Sequence, residues 1–230
     1  MKIAGNIVNF MCRIYRMKLT TATGGNISIK DSEGNIWITP ASLDKSNLSP
    51  EDIVCIKKDG TVVGKHKPSS ELMFHQSIYY SRPDISTILH AHPDPLVTFS
   101  AIERMPDISL YYGLEEYLDS VGHVEYALTG STLLATKMAH KFSEGHSIVL
   151  LENHGVVSVG KDLPDAYARF DALIHLARIE INSATLGKLH SPTRQLQPYR
   201  AIPRQESGSS FVNDKLDYVE QRKAICDFNE

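Results

Sequence analysis

Hydrophobic and polar positions recur along this chain with the period of a helix in some stretches and of a strand in others. Residues 3–15 carry apolar side chains at helical spacing, and a longer helical stripe follows Asp162 and Pro164 and ends near Gly187. Shorter helices are predicted from Pro68 to just before Pro83, over 96–101, and over 132–142, where Ser131 is a cap and Gly145 a stop. We predict a helix start at Pro68 in which Ser69 and Ser70 cap the first N–H groups. The apolar stripe of the first helix is formed by Ile3, Ile7, Val8, Met11, Ile14 and Tyr15.

The predicted strands are short and lie between these helices. Residues 27–30 and 35–40 form one hairpin, and residues 53–57 and 61–64 form a second one around Asp59 and Gly60. Buried strands are predicted over 84–92, 147–151 and 156–159, whereas 108–126 shows no clear period. The alternation of helices and strands indicates an α/β fold, and the consecutive hairpins argue for a partly antiparallel sheet and against a doubly wound dinucleotide fold.

The amino-acid composition is typical of a globular protein. The chain has 230 residues, 42% hydrophobic and 22% charged, with a net charge of −3, which favours neither nucleic acid nor a membrane as partner. Cys12, Cys55 and Cys226 are few and scattered, so we expect no disulfides and a cytoplasmic location. We expect one domain over 1–190, followed over 191–230 by an extended tail and a C-terminal helix that pack on it or on a neighbouring subunit.

Histidines at strand ends are the strongest chemical signal. His90 and His92 are two residues apart on one strand, so both imidazoles lie on the same face. His154 follows another buried strand, and Glu71 adds a carboxylate near the start of a predicted helix. Three imidazoles and one carboxylate are a suitable ligand set for a zinc-like divalent ion. The other seven histidines lack this placement and are assigned to the surface or to structural roles, although His75 lies one helical turn beyond Glu71.

A weaker signal comes from Gly24, Gly25 and Asn26. Glycines before a strand let backbone N–H groups approach a ligand closely, as a phosphate site requires, but the same pattern is more often only a turn.

In combination, several of these motifs resemble those of the class II aldolase/adducin family, best known from zinc-dependent sugar-phosphate aldolases such as L-fuculose-1-phosphate aldolase. They are P-S-S-E at 68–71, R-P-D at 82–84, H-A-H-P at 90–93 and L-E-N-H-G-V at 151–156. The resemblance extends from about residue 6 to residue 187. It implies a single-domain three-layer α/β/α sandwich around a mixed, partly antiparallel sheet, and a homotetramer with active sites at subunit interfaces.

The same resemblance assigns roles to individual residues. It implies one Zn²⁺, or another divalent ion, held by His90, His92, His154 and Glu71, with Glu71 also acting as the catalytic base. The family places a substrate phosphate against residues that match Gly25, Asn26, Ser69 and Ser70. Ser42 stands where the family usually has the glycine of T-P-x-G, and it is a further phosphate candidate. A tyrosine from a neighbouring subunit reaches the site in the aldolases, and Tyr111 and Tyr112 are the nearest matches.

The resemblance therefore predicts a lyase of carbohydrate metabolism. The expected reaction is reversible cleavage of a ketose 1-phosphate to dihydroxyacetone phosphate and an aldehyde. Three alternatives remain open. The related 4-epimerases resemble P-S-S-D rather than P-S-S-E, the decarboxylases and dehydratases share the enediolate chemistry, and adducin-like interaction modules lack the histidine set.

Overall fold

Five α-helices and eight β-strands make up the protein in the computed structural model, which describes residues 2–111, 114, 117–118 and 120–187. The helices are α1 (Lys2–Arg16), α2 (Leu72–Ser81), α3 (Asp94–Ala101), α4 (Thr132–Ser143) and α5 (Leu163–Leu186). The strands are β1 (Asn26–Lys30), β2 (Ile36–Ile38), β3 (Val54–Ile56), β4 (Val62–Val63), β5 (Thr87–Ala91), β6 (Val121–Val124), β7 (Ile148–Leu151) and β8 (Gly155–Gly160). The described residues belong to one compact unit that spans 1–192, and the predicted tail and helix over 191–230 lie outside them.

All eight strands join one mixed sheet in the order β4-β3-β2-β1-β5-β8-β7-β6. Every neighbouring pair is antiparallel except β6 and β7, which run parallel. Both predicted hairpins are confirmed, and Gly60 adopts a positive φ of 89° in the turn between β3 and β4. The partly antiparallel sheet is therefore as expected.

Helices cover both faces of the sheet, which confirms the three-layer α/β/α sandwich. One hydrophobic cluster packs α1, α3 and α5 against the sheet, including Ile7, Leu89 and Phe170. A second cluster packs α2 and α4 against the opposite face, including Ile88 and Phe142. Because alternate residues of β5 enter different clusters, its even-numbered side chains face α2 and α4.

Two local details differ from the sequence prediction. Helix α2 begins at Leu72, after an N-cap at Glu71 whose side chain makes no capping hydrogen bond. The Ser69 hydroxyl accepts a hydrogen bond from the Glu71 N–H over 3.3 Å, so it caps the turn before the helix rather than the helix itself. Strand β6 was not predicted, because its four residues include Gly122 and His123 and give too little pattern.

Among the described residues, no helix is both long and apolar enough to cross a lipid bilayer.

Candidate metal centre

Three histidines from distant parts of the chain meet at one end of the sheet. His90 is in β5, His92 lies just beyond the end of that strand, and His154 lies in the turn between β7 and β8. One ligand nitrogen of each ring lies within 4.8 Å of the others, and the Nε2 atoms of His90 and His92 are 3.0 Å apart. The predicted convergence is therefore present in the structure.

The turn that carries His154 is tight. Asn153 adopts a left-handed backbone with φ 50°, and the His154 N–H donates to the Leu151 carbonyl over 3.3 Å. Asparagine is one of the few residues other than glycine that tolerates this conformation. The turn ends at Gly155, where β8 begins.

Hydrogen bonding fixes which nitrogen of His90 can bind a ligand. Its Nδ1 lies 3.0 Å from the Val156 carbonyl, which can only accept, so Nδ1 carries the hydrogen. The Nε2 lone pair of the fully buried ring then points to His92 and Glu71. Metal-ligating histidines are commonly held by such a second hydrogen bond.

Glu71 projects from the start of α2 into the same space. Its Oε2 lies 3.2 Å from Nε2 of His90 and accepts a 2.7 Å hydrogen bond from Asn26 Nδ2, while Oε1 lies 3.5 Å from Nε2 of His154. Burial raises the pKa of Glu71, but His90, His154 and the Asn26 hydrogen bond outweigh it and hold the pKa below its ordinary value. The carboxylate is therefore ionised at neutral pH.

Burial keeps two of the imidazoles uncharged. It lowers the pKa of His92 to about 3 and that of His154 to about 4, with a further contribution from His90 in each case. Burial also acts to lower the pKa of His90, but the adjacent Glu71 carboxylate outweighs it and raises that pKa. The position between His90 and Glu71 thus favours a positive charge.

These residues fit a divalent cation. Imidazole lone pairs and carboxylate oxygens would repel one another at these distances unless positive charge lay among them. Glu71 Oε1 is also buried and has no hydrogen-bond partner among the described residues, which is costly for a charged oxygen. Nitrogen and carboxylate donors in this number are typical of zinc and similar divalent ions.

Gly25 and Asn26, the first two phosphate candidates, lie beside the histidines because Asn26 pairs with His90 in the β1–β5 ladder. Gly25 has φ 69°, and a Cβ there would lie 2.8 Å from the His90 carbonyl oxygen, so glycine is required. The Asn26 side chain contacts Glu71 through Nδ2 and His75 through Oδ1. Phosphate binding by these two residues stays a prediction.

Ser42, Ser69 and Ser70 lie on two loops joined by backbone hydrogen bonds. The Ser69 N–H donates to the Thr39 carbonyl over 3.1 Å, and the Ala41 N–H donates to the Lys67 carbonyl over 3.0 Å. Ser42 is exposed and adopts φ 58°, the left-handed conformation that glycine favours, so it retains the backbone shape expected of a glycine position.

Of the two tyrosine candidates for the proton donor, the structure describes only Tyr111. Tyr111 is 40% exposed and packs edge to face on His175 of α5, with ring centroids 5.4 Å apart. Tyr112 lies outside the described residues.

The buried contacts of His75 were not predicted from the sequence. This ring is completely buried, with Nε2 2.5 Å from Asn26 Oδ1 and Nδ1 2.7 Å from Ser28 Oγ. Two signals were available: His75 lies four residues after Glu71 in a helix, and Ser28 lies two residues after Asn26 in a strand.

Comparison with known proteins identifies chains that are similar to this one. The "L-fuculose phosphate aldolase" of Methanocaldococcus jannaschii is 34% identical over 179 residues, which cover 77% of this chain and 96% of that protein. The "3-oxo-tetronate 4-phosphate decarboxylase" of Haemophilus influenzae is 28% identical, over 72% of this chain and 80% of the relative. A solved structure described as "L-fuculose 1-phosphate aldolase" superposes with a TM-score of 0.75 at 29% identity, covering 83% of this chain and 90% of that one.

The family model described as "Class II Aldolase and Adducin N-terminal domain" matches residues 6–181, which is most of the chain. This match includes every described residue of the candidate metal centre. The chain belongs to the class II aldolase and adducin family.

Proposed function

We propose that the protein is a metal-dependent aldolase that reversibly cleaves a ketose 1-phosphate, such as L-fuculose 1-phosphate, to dihydroxyacetone phosphate and an aldehyde. The observation that carries the proposal is the meeting of His90, His92 and His154 with the buried Glu71 carboxylate. The similarity to an L-fuculose phosphate aldolase supports the choice of substrate class.

The three histidines and Glu71 would hold one divalent ion, with Zn²⁺ the best match to this donor set. When bound there, the ion supplies positive charge that stabilises an enediolate oxygen and lowers the barrier to its formation. The Nδ1 hydrogen bond of His90 to Val156 keeps that ring in the orientation for binding.

Glu71 moves the proton. In the direction of aldol addition, its carboxylate takes a proton from the hydroxymethyl carbon of dihydroxyacetone phosphate and leaves an enediolate. The enediolate carbon then attacks the aldehyde, and the aldehyde oxygen gains a proton from a tyrosine hydroxyl. Cleavage is the reverse of these steps. The lowered pKa of Glu71 favours the ionised form that accepts the proton.

The substrate phosphate is proposed to lie against Gly25, Asn26, Ser42, Ser69 and Ser70. Backbone hydrogen bonds hold the loops of these residues together, because Lys45 N–H donates to the Ala22 carbonyl over 2.7 Å and Ser69 N–H donates to the Thr39 carbonyl. Convergent N–H and hydroxyl donors are suited to a phosphate.

We further propose a cytoplasmic homotetramer with active sites at its subunit interfaces. The proton donor to the aldehyde would be Tyr111 or Tyr112 of a neighbouring copy. The exposed position of Tyr111 is compatible with a contact outside its own subunit.

A decarboxylase is the second candidate. Its support is the 28% identical Haemophilus influenzae relative, together with the serine at position 42 in place of the family's usual glycine. Decarboxylation would also pass through an enediolate, which an ion held by the same four residues would stabilise. The glutamate at position 71 argues against the epimerases, whose corresponding motif resembles P-S-S-D rather than P-S-S-E.

The test is the Glu71→Gln variant. We expect purified wild-type protein to contain a divalent ion and to release dihydroxyacetone phosphate from L-fuculose 1-phosphate, in an assay coupled to NADH oxidation. Glu71→Gln should lose at least a hundredfold in kcat, typical of a lost general base. Glu51→Gln changes an exposed acid and serves as the control. Full activity of a metal-loaded Glu71→Gln protein would contradict the proposal.

Product analysis separates the two candidate reactions. An aldolase forms dihydroxyacetone phosphate and an aldehyde, whereas a decarboxylase releases carbon dioxide from 3-oxo-tetronate 4-phosphate. Carbon dioxide release without cleavage of any ketose 1-phosphate would favour the decarboxylase.

A further inference from the structure

Four hydrogen bonds connect Tyr79, a buried residue near the C-terminal end of α2, to the Glu71 carboxylate. Tyr79 Oη lies 2.9 Å from Ser28 Oγ, which lies 2.7 Å from His75 Nδ1. His75 Nε2 is 2.5 Å from Asn26 Oδ1, and Asn26 Nδ2 is 2.7 Å from Glu71 Oε2. All five side chains are at most 5% exposed, so water does not compete for these contacts.

Chemistry at the Glu71 end fixes the first two donors. An ionised carboxylate can only accept, so the group of Asn26 that faces Glu71 is its NH₂. The Asn26 carbonyl oxygen therefore faces His75. A carbonyl also only accepts, so Nε2 of His75 carries a hydrogen and donates it to Asn26.

The remaining directions follow from a neutral His75. Burial lowers the pKa of His75 to about 3, so Nδ1 holds a lone pair and accepts from the Ser28 hydroxyl. Ser28 has then used its one hydrogen and accepts from Tyr79. The Ser86 carbonyl, 3.2 Å from Tyr79 Oη, is the more distant of the two acceptors for that hydroxyl. Each donor in the series thus points toward Glu71.

Packing holds the ring of His75 in the plane that these bonds require. Phe74 stacks on it with ring centroids 4.6 Å apart and an interplanar angle of 17°. Phe74 also packs on His90 in a T-shaped arrangement, with ring centroids 5.6 Å apart. The ring of His75 therefore has little freedom to rotate.

We propose that His75 is a positioning residue that acts through Asn26: it orients the Asn26 amide to hold Glu71 Oε2, so that Oε1 alone is presented to the reacting proton. Oε1 is the oxygen with no hydrogen-bond partner among the described residues. This role rests on the proposed function of Glu71 as the base. A carboxylate held by one oxygen keeps its other oxygen at a fixed distance from substrate, on which proton transfer depends strongly.

Two substitutions at His75 test the role. Gln offers one acceptor and one donor and can preserve the series, whereas Leu offers neither. In the metal-loaded full chain we expect His75→Leu to lose tenfold to hundredfold in kcat for L-fuculose 1-phosphate, with KM and metal content within about twofold of wild type. His75→Gln should recover most of that loss. A folded His75→Gln protein as impaired as His75→Leu would overturn the proposal, as would parallel losses of metal and kcat.

An NMR measurement tests the hydrogen bonds without relying on activity. Long-range proton–nitrogen correlation of the ¹⁵N-labelled, zinc-loaded protein reports the tautomer, and His75→Gln identifies the signals. We expect a neutral ring protonated at Nε2, with an Nδ1 signal that shifts in Ser28→Ala. An imidazolium or a ring protonated at Nδ1 would overturn the proposed orientation. Should the wild type show this tautomer but no aldolase activity, the proposed function would fail and the orientation of Glu71 by His75 would stand.

Discussion

Gly155 lies directly against the ring of His92. A Cβ at position 155 would be 2.7 Å from Cδ2 of His92 and 2.5 Å from the Ala91 carbonyl oxygen. On the other side of the ring, a Cβ at Gly24 would be 2.8 Å from Nδ1 of His92. The imidazole of this candidate metal ligand is thus placed between two positions that have no room for a side chain.

We predict that Gly155→Ala displaces His92 and reduces bound metal. Overpacking of this kind costs about 1–3 kcal/mol of unfolding free energy. Metal content by mass spectrometry and urea unfolding would measure both effects. Gly5→Ala in α1 is the matched control, because its Cβ would meet nothing within 4 Å, so it should be neutral or stabilising. Wild-type metal content in Gly155→Ala would contradict the prediction.

Removal of the metal should lower thermal stability. A ligand at a hundred times its Kd stabilises the folded state by about 2.7 kcal/mol, so a chelator should lower Tm by roughly 5–10 °C. Zn²⁺ added back should restore it. His154→Ala should have a low Tm that no longer responds to chelator. His66→Ala, which alters a partly exposed histidine paired with Asp52, should respond as the wild type does. An unchanged Tm after chelation of the wild type would argue against a structural contribution from the metal.

Ser42→Gly should stabilise the protein. Ser42 is held at φ 58°, and this conformation costs an L-residue about 1–2 kcal/mol relative to glycine. After the greater flexibility of unfolded glycine is subtracted, we expect a gain of roughly 0.5 kcal/mol in unfolding free energy. Ser46→Gly is the control, since Ser46 is also exposed but is not among the residues with positive φ, and it should be destabilising. If the Ser42 hydroxyl also binds phosphate, KM for the sugar phosphate should rise while stability improves.

Lys45 should make stability depend on pH in the alkaline range. Its side chain is 1% exposed and donates to the Pro40 carbonyl over 3.0 Å, and burial lowers its pKa from 10.5 to about 8 while Asp44 opposes the shift. Between these two pKa values the unfolded chain binds more protons, so this residue's contribution to the unfolding free energy rises with pH. Across this pH range the contribution of Lys45 to the unfolding free energy rises by up to about 3 kcal/mol.

Urea unfolding of wild type and Lys45→Met near pH 7 and near pH 10 measures this contribution as a difference between the two proteins. The wild type should gain on the variant as pH rises, because the variant has no group to titrate at position 45. A difference that stays constant with pH would contradict the prediction.

Local pattern was sufficient to predict much of the fold and to identify the candidate metal ligands. The two hairpins, the long α5 and the spacing of His90 and His92 depend on residues close in sequence, whose periodicity reports burial directly. Strand β6 was not predicted, because a segment of four residues that includes a glycine is too short to show a hydrophobic period. The resemblance added the role of Glu71 as base and the phosphate candidates Ser42, Ser69 and Ser70, which no periodicity identifies.

The sequence by itself determined which side chains share a strand face or a helix turn, and hence which chemistry each segment carries. Only the tertiary structure decided which segments meet. The β1–β5 register sets Asn26 beside His90, and the packing of α2 on that face brings His75 to Ser28 and Asn26 across more than forty residues of chain. Such contacts depend on the relative placement of whole elements, because helical and strand periods fix side-chain directions only within one element.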